Sequence, residues 1–189
     1  LRDRTFIYEG YQDTTCLVET DSEPPQPLNP ESLYTCLQLC LLVKAQVSSV
    51  IQVMRKTIVD GSNTSGFQRT ALIARNGSIQ TSEGEVKITN ISLEEDASKT
   101  ISESGQEKVY RLDRLGIPLI EIGTAPDIKT PSQGLETARK LGMLLRSLSG
   151  VKRGLGTIRQ DINVSVADGT RIEIKGAQDL KMIPMLIEL

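Results

Sequence analysis

The sequence contains no histidine, no tryptophan and no apolar run approaching the length of a membrane span. The absence of histidine removes the commonest general base near neutral pH, and the commonest transition-metal ligand with it. Site chemistry must then rest on oxygen donors, which favour hard cations such as magnesium or calcium over zinc. Aromatics make up only 3% of residues, too few for a platform on which unpaired bases stack. The three cysteines, at 16, 36 and 40, are an odd number. Cys36 and Cys40 stand at i,i+4 in a helical pattern and read as small core residues, which points to a reducing cytosolic compartment. With no signal peptide or transmembrane segment visible, no membrane partner is expected.

What is present fits a globular chain. The 189 residues suffice for one core with a small annex, and the hydrophobic share of 38% and charged share of 24% are ordinary. The net charge of −2 supplies no global attraction for nucleic acid, so RNA contact would need local basic patches or a longer protein. Strands and helices alternate without a regular βαβ rhythm. This predicts an α+β fold, a largely antiparallel sheet with a few packed helices, in one domain over residues 1–189. The chain begins without Met and stops inside an apparent helix, so it is expected to be a fragment.

Residues 1–20 read as a hairpin turning at Glu9–Thr14, followed by a proline-stiffened connector over 22–27. Asn29-Pro30-Glu31 predicts a helix start, with Leu33, Leu37, Cys40 and Leu41 as its inner stripe. Val50–Met54 reads as a strand and Asp60–Gly66 as a flexible polar loop. Strands over Thr70–Ala74 and Val86–Thr89 flank an Asn76-Gly77 turn and a polar Thr81–Glu85 loop. Apolar parity shifts between Ile88 and Ile91, which predicts a bulge near Thr89–Asn90 delivering Glu94-Glu95-Asp96. A polar loop is expected over 102–107 and a strand over Pro118–Ile122. Thr130, Pro131 and Gln133 then start a second helix, with Leu135, Ala138, Leu141, Leu145 and Leu148 inward and Gly150 as its stop. A last helix begins near Asp179.

The stretch from Arg111 to Gly176 places ionisable residues in runs that otherwise read as buried strand. Its final hairpin has an apolar face of Ile158, Ile162, Val164, Val166, Ile172 and Ile174. The opposite face carries Arg159, Asp161, Asn163 and Ser165, then Arg171, Glu173 and Lys175. Matching the faces pairs Asp161 with Lys175, Asn163 with Glu173 and Ser165 with Arg171 around an Ala167-Asp168-Gly169 loop, with Gly169 left-handed. Asp161 and Glu173 are then diagonal neighbours, about 7–8 Å apart at the backbone, close enough to share a cation. The competing reading is a solvated face of weak cross-strand ion pairs. The Glu94–Asp96 triplet is equally open to reading as a solvated strand end, and Glu121, set between isoleucines, as either a buried structural pair or a site residue. Lys152-Arg153-Gly-Leu-Gly156 combines cations with glycines and can present backbone N–H groups to a phosphate, or be a plain basic turn.

Several blocks carry a resemblance: Val53–Arg69, Leu93–Ala97, Arg111–Asp127, Lys152–Val166 and Arg171–Gly176, with weaker support at Thr15–Glu19. Together they resemble the Glu-tRNA(Gln) amidotransferase family of GatB and GatE chains, and Asp60–Phe67 and Lys152–Gly156 look like the archaeal GatE form. The resemblance implies a cradle-shaped catalytic domain. In it ATP phosphorylates the γ-carboxylate of glutamate misacylated on tRNA(Gln), and ammonia from an asparaginase-like partner subunit displaces the phosphate. It implies a divalent metal, Mg2+ or Mn2+, with the family's acidic positions falling on Glu94, Glu95, Asp161 and Glu173, and less directly on Glu121. Arg159 and Lys175 are read, from charge and face, as complementing phosphate or acyl-phosphate oxygens, and Lys152 and Arg153 as phosphate contacts. The family's N-terminal histidine strand, its inserted domain and the helical and tail parts that hold tRNA have no counterpart here. A fragment of this kind is expected to be inactive alone. Two alternatives stay open: a scaffold that contacts the partner without holding metal, and a metal-dependent phosphodiesterase with no use for ATP.

Overall fold

The structure, a computed structural model, describes residues 3–188. Its strands and helices form an α+β fold whose sheets are antiparallel apart from one parallel pair. The chain divides into two compact units, the first comprising residues 1–33, 48–73 and 92–121, the second 34–47, 74–91 and 122–189.

In the first unit, β1 (Thr5–Glu9) pairs in parallel with β7 (Glu107–Arg111), and β7 in antiparallel fashion with β6 (Lys99–Ser104). The expected hairpin over residues 1–20, of which Leu1 and Arg2 lie outside the described residues, does not form. Its turn is present, with Thr14 N–H donating to the Tyr11 carbonyl, but β1 pairs with a strand far along the chain. The reason is aromatic packing. Phe6 and Tyr8 reach the ring of Tyr110, 1% exposed, with ring centroids 6.1 and 6.0 Å away. The expected polar loop over 102–107 is a tight hairpin instead, because Gly105 takes φ 58° at the first central position of a two-residue connection.

The Asp60–Gly66 segment is pinned rather than flexible. Tyr110 donates to the Asp60 carbonyl at 2.7 Å, Tyr8 to the Gly61 carbonyl at 2.7 Å, and Ser98 N–H to the Ser62 carbonyl at 2.9 Å. Strand β3 falls at Val53–Thr57, later than expected, and lies exposed along the Phe67–Ala71 end of β4 (Phe67–Thr81).

Strand β4 does not turn at Asn76-Gly77. Asn76 takes φ 57°, and a Cβ on Gly77 would stand 3.1 Å from the Val43 carbonyl oxygen, so glycine lets the strand pass close beneath the end of a helix. That helix, α1 (Pro30–Leu42), starts where expected: Asn29 Oδ1 accepts from Ser32 N–H at 2.9 Å. Its inner stripe is rotated from expectation. Thr35, Cys36, Leu39 and Cys40 are buried, whereas Leu41 is 76% exposed. With Val43, Ile79, Val86, Ile88 and Ile91 they form the core of the second unit, each buried aliphatic contributing about 1.5–3 kcal/mol.

The β4–β5 connection is the Ser82-Glu83 turn, and β5 spans Gly84–Glu95. The parity shift is present: Val86 and Ile88 are buried, then Ile91 and Leu93. Cross-strand side-chain partners share a face, so their numbers sum with constant parity in an unbroken ladder. Gln80 with Glu85 sums to 165, and Thr70 with Glu94 to 164, so one strand carries an extra residue between them. The extra residue lies on β4, where Asn76 takes a left-handed backbone.

The remaining elements are β2 (Gln46–Val47), paired with Ala74–Arg75, and β8 (Pro118–Thr124), which lies beside β5. Helix α2 (Pro131–Ser147) begins on Thr130, whose hydroxyl accepts from Gln133 N–H; the Gln133 side chain returns the bond to Lys129 N–H, one residue before the cap. Within the helix its most buried positions are Gln133, Gly134, Thr137 and Gly142, with Leu135, Leu141 and Leu145 half-buried; Leu148 is buried as expected and takes the cap, ahead of Gly150. Small residues win there because α3 (Ile183–Glu188) packs close, Ile187 meeting the α2 backbone at Gly134. Among the described residues no helix is long and apolar enough to cross a membrane.

Candidate functional site

The acidic triplet ends β5 and its three carboxylates go to three different partners. Arg69 on β4 grips Glu95 with two donors, Nε to Oε2 at 3.0 Å and Nη2 to Oε1. Thr70 Oγ1 donates to Glu94 Oε1 at 3.0 Å. Asp96, 9% exposed, pairs with Arg114 Nε at 3.3 Å. Successive strand residues face opposite sides, so Glu94 and Glu95 diverge, as do Thr70 and Arg69. Gln68 adds a bond from Nε2 to the Glu95 carbonyl at 2.6 Å. Glu121 on β8 is exposed, contrary to the burial its isoleucine neighbours suggested, since Ile120 and Ile122 take the inner face only partly.

The expected hairpin register is observed. Strands β9 (Ile162–Val164) and β10 (Ile172–Ile174) pair Asn163 with Glu173, Ile162 with Ile174 and Val164 with Ile172. The strands are shorter than expected, and Asp161 stands just beyond the ladder, its Oδ1 accepting from Gly176 N–H at 2.9 Å. Lys175 Nζ lies 3.7 Å from Glu173 Oε2 on the same exposed face. Gly169 is not left-handed: its N–H closes the turn on the Val166 carbonyl at 3.1 Å without a positive φ. The apolar face is shallow, with Ile158, Ile162, Val164 and Ile174 half-buried but Val166 and Ile172 exposed.

In the Lys152–Gly156 loop, Gly154 and Gly156 both take positive φ, and every residue is exposed. Arg153 donates to the Arg146 carbonyl at 2.8 Å, where a cation satisfies the carbonyl end of α2. Lys152, Arg159 and Lys175 are exposed.

Glu94, Glu95 and Glu121 belong to the first unit, and Asp161 and Glu173 to the second. Among the described residues no three acidic, cysteine or histidine side chains come together to hold a metal ion. In kind the candidates suit magnesium or manganese, being carboxylate oxygens throughout. Glu94 is the member of the triplet that meets a hydroxyl rather than a cation, leaving its charge unbalanced by any described side chain. Sequence reading passes over Arg69, Thr70 and Arg114 as partners of the triplet. The signal for the first two is the β4–β5 register, which is concealed when Asn76-Gly77 is read as the turn.

Comparison with known proteins places these elements in context. A family model described as "GatB/GatE catalytic domain" matches residues 8–189. The glutamyl-tRNA(Gln) amidotransferase E-type subunit of Methanocaldococcus jannaschii is 58% identical over 185 residues, covering 98% of this chain and 29% of that protein. The E-type subunits of Methanothermobacter thermautotrophicus and Natronomonas pharaonis are 53% and 55% identical, each covering at least 98% of this chain and 30% of the relative. The chain thus spans about 30% of the length of the curated relatives it matches. On a match over nearly its whole length, the chain belongs to the GatB/GatE catalytic domain family.

Proposed function

We propose that the chain is the kinase and transamidation part of a tRNA-dependent amidotransferase subunit, converting Glu-tRNA(Gln) to Gln-tRNA(Gln). The observation that carries this reading is the 58% identity, across 98% of the chain, to a protein named for that activity. In this reading ATP phosphorylates the glutamyl γ-carboxylate, and ammonia from an asparaginase-like partner subunit displaces phosphate. The carboxylates considered as donors to a magnesium or manganese ion are Glu94, Glu95, Asp161 and Glu173, with Glu121 as a further candidate. That ion would neutralise charge developing on the transferred phosphoryl group. Arg159 and Lys175 supply positive charge to the phosphate or acyl-phosphate oxygens, and Lys152 offers a further phosphate contact. The tRNA is held mainly by parts of the longer subunit.

The test is ATP-dependent formation of Gln-tRNA(Gln) by the full-length subunit with its amidase partner. Glu94→Gln and Asp161→Asn are expected to abolish it while leaving the thermal transition in place. Wild-type rates in both variants would refute the site assignment.

A second reading is favoured by one observation, that no three acidic side chains converge among the described residues. In it this segment is a scaffold that holds no metal by itself. Titration of Mn2+ into the chain and its Asp161→Ala variant separates the two, since only a metal site gives a difference between them.

A further inference from the structure

Helix α1 ends with apolar surface open to water. A surface helix ordinarily turns charged residues to solvent, yet from Ser32 to Val43 no side chain is charged. Its last two residues, Leu41 and Leu42, are exposed. Beside them, Leu42 from α1, Ile79 from β4, and Met143 and Leu144 from α2 line a groove of about 640 Å³ within the second unit. Ile79 is its buried floor, whereas Leu42 and Met143 stand 50% and 56% exposed on the walls.

Three charged residues rim this groove: Lys44, Glu85 and Lys140. Lys140 is committed, its Nζ donating to the Gln80 carbonyl at 2.6 Å and lying 2.8 Å from Glu136 Oε1. Glu85 accepts from Gln80 Nε2 at 3.2 Å. Lys44 is exposed and, among the described residues, pairs with no carboxylate. Its backbone takes φ 54°, in the left-handed closure where Lys44 N–H donates to the Leu41 carbonyl and Ala45 N–H to the Cys40 carbonyl. Glycine is the unstrained residue for that position; lysine accepts the strain and sets a charge at the mouth of an apolar groove.

We propose that this groove is the docking site for an acidic amphipathic helix of the longer subunit, its apolar face on Leu42, Ile79 and Met143 and a carboxylate on Lys44. An apolar helix face laid into a groove is a general mode of recognition, and the uncommitted cation selects the acidic flank. The relatives are more than three times as long as the part this chain matches. A tethered segment of such a subunit meets the groove at about millimolar effective concentration, which favours it over a separate chain.

The experiment oxidises the full-length subunit with dilute hydrogen peroxide and follows Met143 by peptide mass spectrometry, against the same residue in the urea-unfolded chain. Oxidation follows exposure, so a covered Met143 should react about tenfold more slowly than when unfolded, at every protein concentration. Lys44→Glu and Leu42→Ser are expected to return it to near the unfolded rate with a wild-type circular dichroism spectrum, and Lys44→Arg to leave it protected. Should the variants fail to fold, the wild-type rate decides alone. A native rate close to the unfolded one overturns the docking site. Protection that grows with protein concentration, or arises only on adding the amidase partner, gives the groove to a second copy or to another chain and overturns it equally. Protection unchanged in Lys44→Glu overturns the acidic character of the occupant.

Discussion

Asn163 on β9 stands directly opposite Glu173 on β10, and this one pairing sets which side of the hairpin carries charge. A slip of one residue would send Glu173 to the apolar side. Asp161 extends the same face but contributes little to holding it, being exposed and bonded, among the described residues, through Oδ1 to the Gly176 N–H. Asp161→Ala should therefore lower stability by about 1 kcal/mol or less, the worth of one exposed hydrogen bond. On the proposed reading of Asp161 as a site residue, amidation by the full-length subunit should be abolished, as for Asp161→Asn. Paired urea denaturation and rate measurements check the separation; a fall in both by equivalent free energies would mark Asp161 as structural.

Tyr110 is the hub of the first unit. Its ring packs against those of Phe6 and Tyr8, and its hydroxyl donates to the Asp60 carbonyl at 2.7 Å. Tyr110→Phe keeps the ring and leaves that carbonyl without its donor, which should cost about 1–3 kcal/mol. A fall in the urea midpoint at unchanged slope is the expected result, with faster hydrogen exchange over residues 60–66.

Glu136 gives the second unit an acid-sensitive contact. Hydrogen bonds from Lys140 and from Ser82 hold its carboxyl down at about 2, and bonds from Ser132 and Thr130 lower Glu83 as well. A depressed carboxyl stabilises the fold above its unfolded value, about 4.3, and loses that contribution as pH falls through the folded value. The stability difference between wild type and Glu136→Gln should thus be full at pH 6 and shrink steadily from pH 4.5 toward pH 2. Thermal melts across that range measure it, and a difference independent of pH would contradict the assignment.

Thiol reactivity should separate the cysteines. Cys16 is exposed, whereas Cys36 and Cys40 are fully buried. A hydrogen bond to Cys40 and burial push the Cys36 thiol far up, removing its thiolate. One thiol should react with Ellman's reagent in the native protein and three in urea.

Local chemistry was legible where neighbours in sequence decide the outcome. Asn29 and Thr130 start their helices because a cap needs only the next three residues. The β9–β10 register was readable because a short loop and two alternating faces leave one solution. Errors arose where a distant group won. Asn76-Gly77 reads as a turn, yet the helix end at Val43–Ala45 needs a Cβ-free residue there, so the strand runs on. Leu41 fits a helical stripe, but the face of α1 that is buried carries Cys36, Leu39 and Cys40.

By itself the sequence determined the fold class, the helix starts, the hairpin register and the membership that its motif blocks announced. These rest on local propensity, period and residue identity, which a linear chain carries in full. Only the tertiary structure decided that β1 joins β7, that Asp60–Gly66 is held by two tyrosines, and that Arg69 and Thr70 divide Glu95 and Glu94 between two faces. Each of these joins residues far apart in the chain, and such a choice depends on which buried surfaces fit together rather than on any pattern within one segment.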